Sequence, residues 1–133
     1  MRYLPGTTIE FQKVGQDKIA DVLNALFLAG GLSLSQVSYL TGLAPHMIQN
    51  WVTRGFVSSP QAKRYSKRQF CRIATINFLK DSFQLDKIVQ LIGCLNGRLD
   101  DESDDLIDDS LLYIYFSTVI SEIEQDDLVY FGK

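Results

Sequence analysis

The side chains best suited to chemistry in this sequence are cationic, and most of them lie in one part of the chain. Residues 22–80 carry seven Lys and Arg side chains and no Asp or Glu, whereas residues 81–133 carry 3 basic and 13 acidic ones. The net charge of −3 therefore conceals a segment of +7. Because charges beyond about 8–10 Å are screened at ordinary salt, a polyanion would respond to this segment rather than to the whole chain. A solvated surface without a partner is the alternative.

Length and composition predict a single globular domain. The chain has 133 residues, of which 46% are hydrophobic and 22% charged, so collagen-like, disulfide-scaffold and disordered classes are excluded. Cys71 and Cys94 form no C-x-x-C motif, and we expect both thiols to be buried. With no signal segment and no apolar stretch long enough to cross a bilayer, we expect a cytoplasmic protein.

Hydrophobic periodicity predicts a mainly α fold. We expect Ser35 to cap the second helix, and Ser66 and Gln69 to form a capping box that starts the fourth. A long C-terminal helix is expected to begin at Ser103. The predicted helices cover about 18–29, 36–41, 45–54, 66–81, 85–93 and 103–124.

The predicted domain has three parts. Residues 1–32 comprise an extended arm and a helix, and residues 95–133 comprise an acidic helical segment. Residues 33–94 between them contain two short helices separated by Gly42 to Ala44, a spacing typical of a helix-turn-helix. The arm is expected to pack through Ile9, Phe11 and Val14.

A hairpin is predicted after the helix pair. Residues 56–65 lack helical periodicity and contain the turn Ser58-Ser59-Pro60, and Lys63-Arg64 lies where the hairpin returns. This order of elements puts the second helix of the pair, the recognition helix, and the hairpin, called a wing, on one face of the domain. A helix fits the roughly 12 Å major groove of DNA, and a wing reaches the flanking phosphates.

These segments resemble the DNA-binding module of MerR-type transcription regulators. The likeness covers about 60 of the 133 residues between 34 and 93, and it implies a MerR-like winged helix-turn-helix flanked by an N-terminal helix and a long C-terminal helix. The motifs that carry it are Leu34 to Trp51, Arg54-Gly55-Phe56-Val57, Lys63-Arg64-Tyr65-Ser66 and Phe83 to Ile88.

The whole chain is also similar to a bacterial family of uncharacterised function, domain of unknown function 1836. That likeness includes Thr41-Gly42-Leu43, Ile48-Gln49-Asn50-Trp51, Arg54-Gly55, Lys63-Arg64-Tyr65-Ser66 and Asn96-Gly97. The family supplies no activity, so the functional expectation comes from the MerR resemblance alone.

The MerR resemblance implies sequence-specific binding to double-stranded DNA. It places His46, Gln49 and Asn50 on the groove-facing side of the recognition helix, where Gln or Asn can pair with adenine. Ala44 and Met47 depart from the polar residues that are usual at their positions, and Gln49 replaces a usual Arg. The recognition helix is therefore poorly charged.

Phosphate affinity is then expected to come mainly from the wing and its neighbours. The MerR resemblance assigns phosphates to the basic-basic-aromatic run of the wing, and the poorly charged helix leaves the rest to nearby cations. The expected phosphate contacts are Arg54, Lys63, Arg64, Tyr65, Lys67, Arg68 and Arg72.

The last predicted helix is apolar around most of its circumference, a pattern typical of burial on several sides. We expect it to pack on its own domain and on a second copy, which predicts a homodimer suited to a palindromic DNA site. The expected interface comprises Leu111, Leu112, Tyr115, Phe116, Val119 and Ile120.

Other function classes fit the sequence less well. A protein-interaction adaptor that keeps the winged fold and binds through the last helix is the second hypothesis. An enzyme is not expected, because the chain has no nucleophile–base pair, metal-ligand spacing or phosphate-binding glycine loop. A calcium loop starting at Asp100 would need Gly and Glu where Asp105 and Leu111 stand. We therefore expect no cofactor and no metal; whether a small-molecule effector exists is left open.

The acidic run 100–105 is either a solvated helix start or a contact for the basic face of the same or a partner subunit.

Overall fold

A computed structural model describes residues 2–11, 16–96 and 109–131. Within these ranges the protein is mainly α-helical, as the sequence predicts, and its only strands are two antiparallel pieces of two residues each. The elements are β1 (Arg2–Tyr3), β2 (Glu10–Phe11), α1 (Gln16–Leu26), α2 (Leu34–Thr41), α3 (Pro45–Thr53), α4 (Lys67–Leu79), α5 (Leu85–Asn96) and α6 (Asp109–Phe131).

The cap predicted for α2 is wrong by two residues. Ser33, not Ser35, precedes the helix, and its hydroxyl accepts a hydrogen bond from the Gln36 backbone N–H at 3.2 Å. The Gln36 side chain in turn accepts from the Ser33 N–H at 2.8 Å. Only Ser33 has a glutamine three residues later, so only it can make this reciprocal pair.

Other helix ends also differ from the predicted ones. The first helix ends at Leu26, before a turn over residues 27–29, instead of continuing to 29. The fifth continues through Gly93 to Asn96. The last extends to Phe131 rather than 124, while its predicted cap, Ser103, and the acidic run 100–105 lie outside the described residues.

The N-terminal residues form a hairpin rather than a single extended arm. Leu4 is fully buried, and Ile9 packs against the same core, as predicted. Gly6 lies so close to α4 that an added Cβ would be 1.9 Å from the Ala74 carbonyl oxygen, so only glycine fits there. Val14 and the side chain of Phe11 lie outside what the structure describes.

The core surrounds α4, in which residues 69–76 are all buried. This helix packs against α2, α5 and α6. Trp51 and Cys71 are buried in the core, as predicted, and Phe56 packs against it while half-exposed. The side chain of Cys94 is outside the described set.

A buried ion pair connects α4 to the start of α6. The Arg72 Nε donates to Asp109 Oδ1 at 3.1 Å, and its Nη2 lies 3.0 Å from Asp109 Oδ2. The two side chains are 2% and 4% exposed. On the same helix, the Tyr113 hydroxyl donates to the Pro5 carbonyl, and burial raises the pKa of this phenol far above its ordinary value. Asp109 and Tyr113 thus fix α6 to both α4 and the N-terminal hairpin.

Replacing Asp109 by Asn should destabilise the fold strongly. The change leaves the Arg72 guanidinium buried without its counter-charge, which costs about 3–5 kcal/mol. The matched control is Asp81→Asn, which breaks the exposed Lys80–Asp81 contact of 3.5 Å and should cost about 1 kcal/mol or less. Urea unfolding followed by the fluorescence of Trp51, the single tryptophan, measures both. Equal losses would show that the buried pair has no special role.

Candidate nucleic-acid interface

The helix α3 presents a polar face to solvent. Its buried side is formed by Ile48 and Trp51, which anchor it to the core. His46, Gln49 and Asn50, the predicted base-contact residues, are all exposed. Their spacing of three and four residues places them on one face of a helix. The structure therefore brings these three side chains together on the outside of α3.

The turn between α2 and α3 is rigidly specified. Gly42 has φ +77°, a left-handed conformation suited to glycine, and its N–H donates to the Ser38 carbonyl at 2.9 Å. The Ser38 hydroxyl donates to the Leu43 carbonyl at 2.6 Å. Pro45 then occupies the first turn of α3, where no N–H is needed. Local bonds therefore fix the entry of α3.

The predicted hairpin is present only as a tight turn. Gln61 and Arg64 exchange both backbone hydrogen bonds, at 3.1 and 2.8 Å. Ala62 and Lys63 between them have φ of +50° and +62°, the arrangement of a type I′ hairpin turn. Both positions lack glycine, so the turn stores some backbone strain. All four residues are exposed, which carries the Lys63 and Arg64 side chains outward.

The base of this turn is bonded to the segment before α2. Tyr65 and Leu32 exchange backbone hydrogen bonds at 2.9 and 2.7 Å, and the Arg64 Nη1 donates to the Gly31 carbonyl at 3.3 Å. An added Cβ at Gly31 would lie 2.8 Å from both the Arg64 Cβ and the Tyr65 backbone carbonyl oxygen. Glycine at position 31 therefore permits the close approach that seats the turn.

Gln69 is a structural residue whose full role the sequence did not reveal. The capping box with Ser66 is confirmed: Gln69 Oε1 accepts from the Ser66 N–H at 2.7 Å. The same side chain is buried and its Nε2 donates to the Ser58 carbonyl, the Ser58 hydroxyl and the Ser59 carbonyl at 2.9–3.1 Å. One amide therefore holds the loop before the turn against the start of α4.

The exposed cations differ in how firmly they are held. The Arg54 guanidinium lies over the Phe56 ring, 4.4 Å from its centroid, a cation–π contact that orients it. The Lys67 ammonium, on a half-exposed side chain, donates to the Asn24 side chain at 3.0 Å, and Arg68 is also half-exposed. Among the described cations of this region, Arg54, Lys63 and Arg64 have exposed side chains.

Two of the predicted phosphate contacts are contradicted. Arg72 is 2% exposed and forms an ion pair with Asp109, so its guanidinium cannot reach a phosphate. Tyr65 is 3% exposed and belongs to the core, and burial raises the pKa of its phenol. Tyr65 is assigned from the MerR resemblance and Arg72 from its place in a basic stretch, and neither basis shows which side chains the fold buries.

The residues predicted for a dimer interface divide between two faces of α6. Leu111 and Tyr115 are exposed, at 61% and 65%. Phe116 instead packs edge-on against Phe78, with ring centroids 5.3 Å apart. The remaining three, Leu112, Val119 and Ile120, are half-exposed.

The comparison with protein families matches residues 16–117 to the family described as Domain of unknown function (DUF1836). The match spans more than half of the chain. The chain belongs to this family. The resemblance to it that the motifs predict is therefore confirmed. Neither the curated proteins nor the solved structures gave a significant match.

Two features are absent from the described ranges of this DUF1836 chain. Among those residues, no three His, Cys, Asp or Glu side chains lie close enough together to hold a metal ion. None of the described helices combines the length and apolar character that crossing a membrane requires.

The two capping boxes of this DUF1836 protein allow a matched test of Gln69. Gln69→Glu keeps the acceptor for the Ser66 N–H but points a carboxylate at two carbonyl oxygens, so we expect a loss of about 2–3 kcal/mol. Gln36→Glu makes the same change in the exposed box of α2, where glutamate is a favoured residue, and should change stability by less than about 0.5 kcal/mol. Urea unfolding measures both; equal effects would refute the role assigned to the Gln69 amide.

Proposed function

We propose that this protein is a transcription regulator that binds double-stranded DNA sequence-specifically through a MerR-like winged helix-turn-helix. In this proposal α3 enters the major groove, and the turn at residues 61–64 acts as the wing that contacts phosphates. The observation that carries it is the shared exposure of His46, Gln49 and Asn50 on one face of α3. Any surface helix turns polar residues to solvent, but the amides of Gln49 and Asn50 are also of the type that pairs with base edges, and their exposure leaves them free to do so.

The charge around α3 supports the same proposal. Arg54 follows the helix directly, and the exposed Lys63 and Arg64 lie on the turn that precedes α4. No acidic residue occurs between 22 and 80, so nothing in that stretch opposes a phosphate. Phosphate contacts would position the protein, and the polar face of α3 would read the bases. No catalytic step and no cofactor is part of this proposal, which places the protein in the cytoplasm with the DNA.

Selection from genomic DNA tests the proposal directly. Purified protein is mixed with fragmented DNA of the source organism at about 0.1 M salt, and the retained fragments are sequenced. We expect a small set of sites that share one sequence pattern. Retention without any shared pattern would contradict sequence-specific reading, and no retention would contradict DNA binding altogether.

Variants of the turn and of α3 should fail in different ways. Lys63→Asn removes one charge and keeps a residue that tolerates φ +62°, so affinity should fall for all sequences and the log–log salt slope should drop by about 0.9. Gln49→Ala should leave the slope unchanged and relax preference at one or two base pairs by about 1–3 kcal/mol each. Titrations of the selected site and its single-base variants at several salt concentrations separate the two. Identical behaviour would show that α3 does not read bases.

We also propose that the protein is a homodimer through α6. Leu111 and Tyr115 are four residues apart, share one helix face and are largely exposed, and an apolar pair of this size is more stable when covered. A dimer would match two half-sites of a palindrome. The same exposed pair favours the second candidate function, a protein-interaction adaptor that keeps the fold but does not bind DNA.

Leu111→Glu combined with Tyr115→Glu should convert the dimer to a monomer. Both side chains are exposed in the single chain, so the charges should leave the fold intact while a symmetric interface would bury them unpaired. Sedimentation equilibrium gives the mass, and urea unfolding checks the fold. A wild-type mass of one chain, together with absent DNA selection, would favour the adaptor.

A further inference from the structure

A polar groove of about 820 Å³ runs between the end of α3 and the turn at residues 61–64. Thr53 and Gly55 contribute to one wall, Gln61 and Arg64 to the other, and Ser59 and Ser66 lie along it. Gln69 forms part of the lining while its amide holds the loop that carries Ser59. The hydrogen bonds of Gln69 therefore position the part of the groove that the loop forms.

The lining has the chemistry of an anion site. Four hydroxyl and two amide side chains line it together with two valines and two glycines, Arg64 is its one charged lining residue, and no carboxylate is among the lining residues. The Arg64 Nη1 already donates to the Gly31 carbonyl, which orients the guanidinium along one wall, and four of the five N–H donors of an arginine remain for a ligand. An arginine fork beside hydroxyl donors is the combination that recognises phosphate oxygens.

Gly55 adds no side chain to the wall that it shares with Thr53. Its φ of +82° is a conformation that other residues rarely adopt, and an added Cβ would meet nothing within 4 Å. The glycine is therefore required by its backbone conformation and not by crowding.

We infer that this groove binds a phosphate ester. This assignment rests on the proposed function: the ester is then a backbone phosphodiester of one DNA strand that lies between α3 and the turn. A free nucleotide offers the same group and fits the same volume, so the two sources are distinguished by experiment. The groove thus contributes hydroxyl and amide contacts in addition to the cations that the sequence indicated.

Ser59→Asp tests the groove without touching α3 or the turn. Ser59 is exposed, and only its backbone carbonyl is used by Gln69, so the loop should keep its place. The matched control is Ser82→Asp, which adds the same charge in the exposed turn beyond the far end of α4, about 20 Å from its start. We expect Ser59→Asp to weaken binding to the selected DNA at least tenfold at 0.1 M salt, and Ser82→Asp less than threefold. Urea unfolding confirms that both variants remain folded.

A second arm uses adenosine 5′-monophosphate as the probe and amide NMR spectra as the readout. If the DNA losses differ as expected, the groove holds a backbone phosphate. If they do not differ but the nucleotide shifts the Gly55, Ser59 and Gln61 amides, the groove binds a free phosphate ester and only its assignment to DNA fails. Equal DNA losses without such shifts overturn the inference. Wild-type protein that retains no DNA refutes the proposed function, and the nucleotide arm alone then decides the groove.

Discussion

The structure depends on the burial of one helix on all of its sides. Eight consecutive residues of α4, from Gln69 to Ile76, are buried, and eight residues point in every direction around a helix. Two of them are strongly polar, and a buried polar group without a partner is costly. Gln69 therefore requires the loop at Ser58 and Ser59, and Arg72 requires Asp109. The partners that these two buried side chains require thus determine where the candidate wing begins and where α6 packs.

Features that depend on neighbouring residues could be predicted from the sequence. The capping box at Ser66 and the start of α3 at Pro45 involve partners within a few positions, and both are confirmed. The cap predicted at Ser35 is wrong, because the glutamine that closes the reciprocal pair, Gln36, lies three residues after Ser33. The exposed face of α3 could also be predicted, because Ile48 and Trp51 identify the buried side and the remaining positions follow from helical spacing.

Features that depend on distant partners could not be predicted. Arg72 lies 37 residues from Asp109, and nothing adjacent to either residue in the sequence identifies the other as its partner. Because α4 is buried all round, it has no polar stripe to show which charged residue faces inward. The groove was missed for a similar reason: its walls come from α3, the turn and α4, and the hydrogen bonds of Gln69 that set its shape exist only in the folded chain.

The number of Lys and Arg side chains near α3 links the proposed DNA binding to the proposed dimer. Of the seven cations between residues 22 and 80, Arg72 is neutralised internally, and Lys80 lies at the far end of α4 beside Asp81. The other five, which lie near α3 and the start of α4, are Arg54, Lys63, Arg64, Lys67 and Arg68. One copy then neutralises at most five phosphates, fewer than the roughly 6–10 contacts that give specific binding its strong salt dependence. In the proposed dimer, two copies joined through α6 would bring that number to ten.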